Sequence, residues 1–247
     1  MVDERFLSHE DARKALNDLH DKSLNFDLRN RDEFGADTGW RVDDYCRRLP
    51  PEPPGPPLTE GSWEVACLLV RDYEFADPDI IRTIYYPDRP LEQRDMLLQA
   101  RFYRLRLYLG VRVGGVHDET RTVQAKDVRV WGWNYRTLQG HLEMGQMDYE
   151  VWKWLDSGDV EFRIHALSRP ADIRNPLLRL GFRLFGRRMQ LKFARNACIR
   201  LERLTTAELV GHQTRRVPEP LPPTAGSVRV APADARSWRG RRTHYPQ

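Results

Sequence analysis

Apolar residues recur along this chain with two periods, and the order in which those periods appear predicts the architecture. Ala12, Ala15, Leu16 and Leu19 repeat at helical spacing behind Ser8 and Asp11, which resemble a capping box, so residues 9–21 are expected to form an amphipathic helix. Little periodicity follows up to Gly61, and the stretch from Leu49 to Pro57 is so rich in proline that it reads as an extended connector. The run from Trp63 to Tyr73 predicts a strand buried over its middle. Asp77-Pro78 then offers a cap and a first-turn proline for a short helix through Ile80, Ile81 and Ile84.

After Pro90 the period becomes two for about eighty residues. Leu105, Leu107, Leu109, Val111 and Val113 alternate with Arg104, Arg106, Tyr108 and Arg112, giving one apolar and one polar face. Gly114-Gly115 and His117-Asp118 supply turn chemistry, and further strands are expected at 123–136, 146–154 and 160–167, the last two joined by a hairpin loop at 156–159. Asn175-Pro176 opens the longest helical signal, which runs to about Leu204 with Leu177, Leu180, Leu184, Leu191, Ala194, Cys198 and Leu201 on one stripe. An early helix, a run of antiparallel strands and a long terminal helix predict an α+β fold, with a curved antiparallel sheet gripping the C-terminal helix and a gap at its mouth. The divisions expected are an N-terminal helix and connector (1–61), the α+β domain (62–209) and a disordered, basic, proline-rich tail (210–247).

Charge sharpens this division. The 247 residues carry 40 Lys and Arg against 36 Asp and Glu. Residues 211–247 hold seven of the basic and two of the acidic residues, which leaves 33 and 34 for positions 1–210, a net of −1. The basicity therefore belongs to the tail, and contact with nucleic acid or anionic lipid is expected only there. No apolar run is long enough to span a bilayer, and the N-terminus lacks the basic start and apolar stretch of a signal peptide, so a cytoplasmic location is expected. Cys46, Cys67 and Cys198 are too far apart for a Cys-x-x-Cys pair and read as reduced and structural. The histidines show no metal-ligand spacing, and neither phosphate-loop nor dinucleotide glycine patterns occur, so no metal or cofactor is expected.

Candidate chemistry centres on Trp131-Gly-Trp-Asn-Tyr-Arg-Thr-Leu-Gln-Gly-His141. In a strand, Trp131, Trp133, Tyr135 and Thr137 share one face, while Gly132, Asn134 and Arg136 share the other. Four of the seven tryptophans lie between 131 and 154, which reads first as an aromatic core and second as the lining of a cavity. His141 beside Glu143 is a possible acid-base pair, weighed against a histidine closing a glycine turn through backbone hydrogen bonds, which spacing favours. Arg163 and His165 fall on the strand face opposite Phe162 and Ile164, where solvent is the expected environment. Arg179, Arg183, Arg187, Arg188, Lys192 and Arg195 line the last helix; a solvated face is the preferred reading over contact with phosphates or a membrane surface.

Gly132-Trp-Asn-Tyr-Arg-Thr-Leu-Gln-Gly-His141, Gly145 and Ser168-Arg-Pro170 resemble an uncharacterised protein family of bacteria and plants, marked by Tyr-Gly-Thr-Leu-x-Gly-His and Ser-Arg-Pro. The resemblance covers about residues 128–203. It implies a distant likeness to START/Bet v 1-type helix-grip proteins, which bind lipids and other apolar ligands and include some cyclases. Thr137, Gly140 and His141 match the pattern; Arg136 stands where the family usually has glycine, and Gln146 where it usually has glutamate.

The expectation is therefore a protein binding a small apolar or lipid-like ligand between sheet and C-terminal helix, through Trp133, Tyr135, Arg136, Thr137 and His141, with Glu143 as a further polar anchor. Such a pocket should amount to at least ~300 Å³. The enzymatic alternative is a cyclase, dehydratase or hydrolase with His141 as general base and Glu143 or Arg136 as its partner. A second alternative is nucleic-acid or anionic-lipid contact through the arginine-rich tail.

Overall fold

A computed structural model describes residues 7–27, 34, 36–102, 105–173, 175–212 and 226–233. Its elements are α1 (His9–His20), β1 (Arg41–Leu49), α2 (Ser62–Arg71), β2 (Ile81–Tyr85), β3 (Asp95–Phe102), β4 (Leu105–Val123), β5 (Lys126–Thr137), β6 (Glu143–Trp154), β7 (Val160–Pro170), α3 (Pro176–His212) and β8 (Arg229–Ala231). The strands form one curved sheet in the order β1-β7-β6-β5-β4-β3-β2-β8, with every neighbouring pair antiparallel. This is the expected α+β arrangement, a curved antiparallel sheet gripping a long C-terminal helix.

Strand alternation decides what each face of the sheet carries. Val113, Trp133, Tyr135, Tyr149, Val151, Phe162 and Ile164 turn inward and pack with Phe193, Ala194, Ala197, Cys198 and Leu201 of α3. On the outer face α1 covers Ile84, Leu97 and Leu138 with Ala12, Leu16 and Leu19. Ser8 caps α1 by accepting from the Asp11 N–H at 3.1 Å. At the other end Arg112, held by Asp95 (2.6 Å), donates to the carbonyls of Leu19 (2.8 Å) and His20 (3.1 Å), taking the place of missing helical donors.

Several sequence expectations are overturned. The run expected as a strand at 63–73 is instead helix α2 as far as Arg71: the buried positions Trp63, Ala66, Cys67 and Val70 follow helical spacing, while Leu68 is exposed. A continuous apolar run carries no period by which to tell the two apart. The helix expected after Pro78 is a single turn, in which the Ile80 and Ile81 N–H groups donate to the Asp77 carbonyl at 2.9 Å. It gives way to β2, whose Thr83 and Tyr85 turn inward while Ile84 meets α1, so both faces are buried and no alternation is visible. Gly114-Gly115 is a bulge within β4 and not a turn; the reversal falls at Gln124-Ala125, where both residues have positive φ (50° and 61°).

The sheet also draws β1 from before residue 62 and β8 from after residue 209. Apart from residues 211–212 and 226–233, the tail lies outside the described residues. The connector is fastened rather than loose. Lys153, fully buried, donates to Glu52 Oε2 (2.5 Å) and to the carbonyls of Pro53 (3.2 Å) and Pro56 (3.0 Å), while Glu52 accepts from the Leu58 and Trp63 N–H groups (3.1 and 2.8 Å).

Candidate functional site

The segment from Thr137 to Gly145 joins β5 to β6, and its polar side chains are turned on the backbone. Thr137 Oγ1 accepts from the Gly145 N–H (2.9 Å) and donates to Asn25 Oδ1 (2.6 Å). Asn25 Nδ2 donates in turn to the Glu143 carbonyl (2.7 Å). Gly140 lies at φ 88°, and Gly145, at φ 153°, comes so close to β7 that a Cβ would stand 2.0 Å from the Leu167 carbonyl oxygen. These constraints explain why threonine and glycine stand there: the signature segment closes a tight inter-strand connection.

His141 belongs to the same closure. It is buried, and its Nδ1 lies 3.0 Å from both the N–H and the carbonyl of Glu143. Burial pulls its pKa down to about 4, against a smaller upward effect of the hydrogen bond with the Glu143 backbone. A neutral imidazole of that basicity is a poor general base near pH 7. The turn-closing role is the one its geometry serves.

Glu143 is different, because its side chain leaves the turn and meets α3. Burial raises its carboxyl to about 7, partly offset by a hydrogen bond from Gln190 Nε2. Gln190 Nε2 also approaches Ser168 Oγ at 3.3 Å, while Gln190 Oε1 is buried with no hydrogen-bond partner. Reversing the carboxamide exchanges which end is left over, and one end remains unpaired either way. Beside this group Arg187 forms a two-pronged ion pair with Asp43 (2.5 and 2.7 Å), which spans from α3 to β1.

Deeper between sheet and helix the interior is aromatic. Trp133, Tyr135, Tyr149, Tyr73, Phe75 and Phe162 pack ring against ring, mostly tilted, with Tyr73–Tyr149 edge to face and Tyr149–Phe162 parallel, at centroid separations from 4.6 to 6.4 Å. Tyr135 and Tyr149 point their hydroxyls at Met147 Sδ (3.7 and 3.0 Å), and the Tyr73 hydroxyl is buried beside those of Tyr135 and Tyr149. Burial holds all three phenols above their ordinary pKa, Tyr135 at about 12.

The residues that sequence reading grouped as ligand contacts thus divide. Trp133 and Tyr135 are core, Thr137 and His141 build the turn, and Arg136 lies on the outer face, where its Nε donates to Gln146 Oε1 at 2.9 Å. Gln190 and Ser168, which sequence reading missed, join Glu143 from α3 and β7. Ser168-Arg-Pro170 in the signature was the available signal for Ser168; Gln190, the one amide within the apolar and basic stretch 176–195, had only that contrast.

Two of the open clefts lie away from the space between sheet and α3. One of about 670 Å³ follows the polar side of α1, at Glu10, Arg13, Lys14, Asn17 and Asp18. The other, about 570 Å³, crosses the outer face of β1, β7 and β6. There Glu150 lies 2.8 Å from His117 Nε2 and accepts from Arg121 (3.0 Å) and from Trp152 Nε1 (2.6 Å). Burial alone would raise its pKa, yet the hydrogen bonds of His117 and Trp152 and the charge of Arg121 bring it to about 2. Arg163 lies 3.7 Å over the Trp152 ring and pairs with Glu161, and His165 pairs with Asp44 at 2.7 Å. Arg163 is thus held by an ion pair and His165 by a hydrogen bond on the outer face. Among the described residues no group of three or more His, Cys, Asp or Glu side chains is arranged to hold a metal ion, and no helix is long and apolar enough to cross a membrane.

A family model described as a domain of unknown function, DUF1990, matches residues 30–198. No curated protein sequence matches the chain. Among solved structures, the chain is similar to Ara h 8.0201, with 9% identity and a TM-score of 0.41 over 68% of this chain and 99% of that one. It is also similar to human STARD10, with 9% identity and a TM-score of 0.33 over 87% of this chain and 91% of that one. At these scores neither likeness bears on what the site does.

Proposed function

The chain belongs to the DUF1990 family, and on that premise we propose that it binds a small apolar or lipid-like molecule between the sheet and α3, its polar end at Glu143 and Gln190. The observation that carries this reading is the unpaired, buried Gln190 carboxamide oxygen beside a carboxyl raised to about 7, at the rim of an otherwise apolar interior. An unmet acceptor in such a place costs about 1–3 kcal/mol, which a ligand hydroxyl or amide N–H would recover.

Aromatic rings fill much of this space, and on this reading the first turns of α3 shift to admit the ligand. Among the described residues, the buried apolar side chains of α3 are Phe193, Ala194, Ala197, Cys198 and Leu201, whereas Phe182, Phe185 and Met189 are only partly covered. A helix half held by polar contacts can swing at lower cost than one seated in a core.

Titration with a naphthalene-sulfonate fluorophore tests the reading. The wild-type protein should bind saturably, and Gln190→Leu, which removes the polar anchor and keeps a similar volume, should weaken competition by hydroxylated lipids about tenfold while leaving competition by plain alkanes unchanged. Equal loss for both, or no loss for either, would remove Gln190 from the site. His141→Gln serves as the control for catalysis: no turnover is expected to depend on its proton.

A further inference from the structure

We propose that the first five turns of α3 dock on an anionic membrane surface. Residues 176–195 contain six basic side chains (Arg179, Arg183, Arg187, Arg188, Lys192 and Arg195) and no acid. The rest of positions 1–210 therefore carries a net −7, so the charge of the body is concentrated on one short element.

Two further observations separate this segment from an ordinary solvated helix face. First, Arg188, Lys192 and Arg195 are exposed and have no carboxylate partner among the described residues, although Arg187 one position earlier is paired with Asp43. Arg47, Arg121 and Arg163, by contrast, each pair with a nearby glutamate. Second, the same segment leaves apolar surface uncovered. Leu180 is 55% exposed, and Phe182 and Phe185 are part-exposed, while Met189 packs against the core and Arg187 and Gln190 make polar contacts toward the sheet.

Basic residues interleaved with leucine and phenylalanine on one helix match the interface of an anionic bilayer, where cations meet headgroup phosphates and apolar side chains enter the acyl boundary. A nucleic acid would satisfy the charges but not Leu180. Docking here does not depend on whether a ligand occupies the interior, although it would present the rim at Gln190 to the membrane.

The test is co-sedimentation of the full chain with vesicles of phosphatidylcholine alone or with about 30 mol% phosphatidylserine, at low and high salt. Binding is expected only to the anionic vesicles and should fall with salt. Charge reversal of Arg188, Lys192 and Arg195 to Glu should reduce it at least tenfold, and Leu180→Ser should reduce it severalfold without changing the melting temperature. Reversal of the tail residues Arg236, Arg239, Arg241 and Arg242 separates the tail from α3 and should leave most of the binding intact. Equal binding to neutral vesicles, loss only in the tail variant, or tighter binding to an RNA oligonucleotide than to anionic vesicles would each overturn the proposal. If the triple variant fails to fold, Leu180→Ser alone decides: undiminished binding by that variant rejects docking through α3.

Discussion

Burial leaves the Glu143 carboxyl with a pKa of about 7, so folding and protonation are coupled at this residue. The folded pKa lies above the ordinary value, hence the contribution of Glu143 to stability is greatest below about 4.5 and is lost as pH rises through about 7. Glu143→Gln keeps a neutral group beside Gln190 and should stabilise the protein by about 2 kcal/mol at pH 8, with the difference gone near pH 5. Urea denaturation at the two pH values measures this, and a pH-independent difference would contradict it. Gly145→Ala tests the turn. A Cβ at φ 153° and 2.0 Å from the Leu167 carbonyl should cost about 3 kcal/mol or more, read as a lower melting temperature. Thr137, Gly140 and His141 were legible as special residues because family resemblance marks them; their work was not, since it rests on Asn25 and Leu167, which are distant in sequence. Arg136 was placed with the wrong company even though strand alternation alone sets it on the face opposite Tyr135.

At the scale of elements, the buried Lys153–Glu52 pair joins the proline-rich connector to β6. Lys153→Met leaves a buried carboxylate unpaired and is expected to cost about 3–5 kcal/mol, whereas the double variant with Glu52→Gln should recover most of that loss. Additive losses in denaturation of the single and double variants would show that the two groups act independently. The connector was recognised from its prolines, but nothing local in 49–57 indicates that a lysine a hundred residues later holds it. Long, strictly alternating strands such as β4 to β7 were legible, because one covered and one polar face leave a period of two. The errors fell on α2 and β2, where apolar residues are consecutive and tertiary contacts choose between helix and strand. The turn at Gln124-Ala125 was missed for a related reason: neither residue is one that usually adopts positive φ.

Considered whole, the molecule is a curved antiparallel sheet gripping a long helix, with aromatic rings in the space under α3. Element order was enough to predict the grip of sheet on helix. It was not enough to predict whether the grip encloses a void, because that depends on Tyr73 and Phe75, contributed by the segment after α2, meeting Trp133, Tyr149 and Phe162 across the interior. Aromatic side chains fill much of the interior, and the Gln190 carboxamide oxygen is left without a hydrogen-bond partner among the described residues. The central claim is that this atom awaits a small molecule with an apolar body and a hydrogen-bond donor. Native mass spectrometry of the full chain, purified from its own host without detergent, tests it most directly. A discrete adduct of one small molecule per chain is expected, reduced in Gln190→Leu. Protein at the bare chain mass under conditions that preserve noncovalent complexes, or an adduct indifferent to Gln190, would contradict the account.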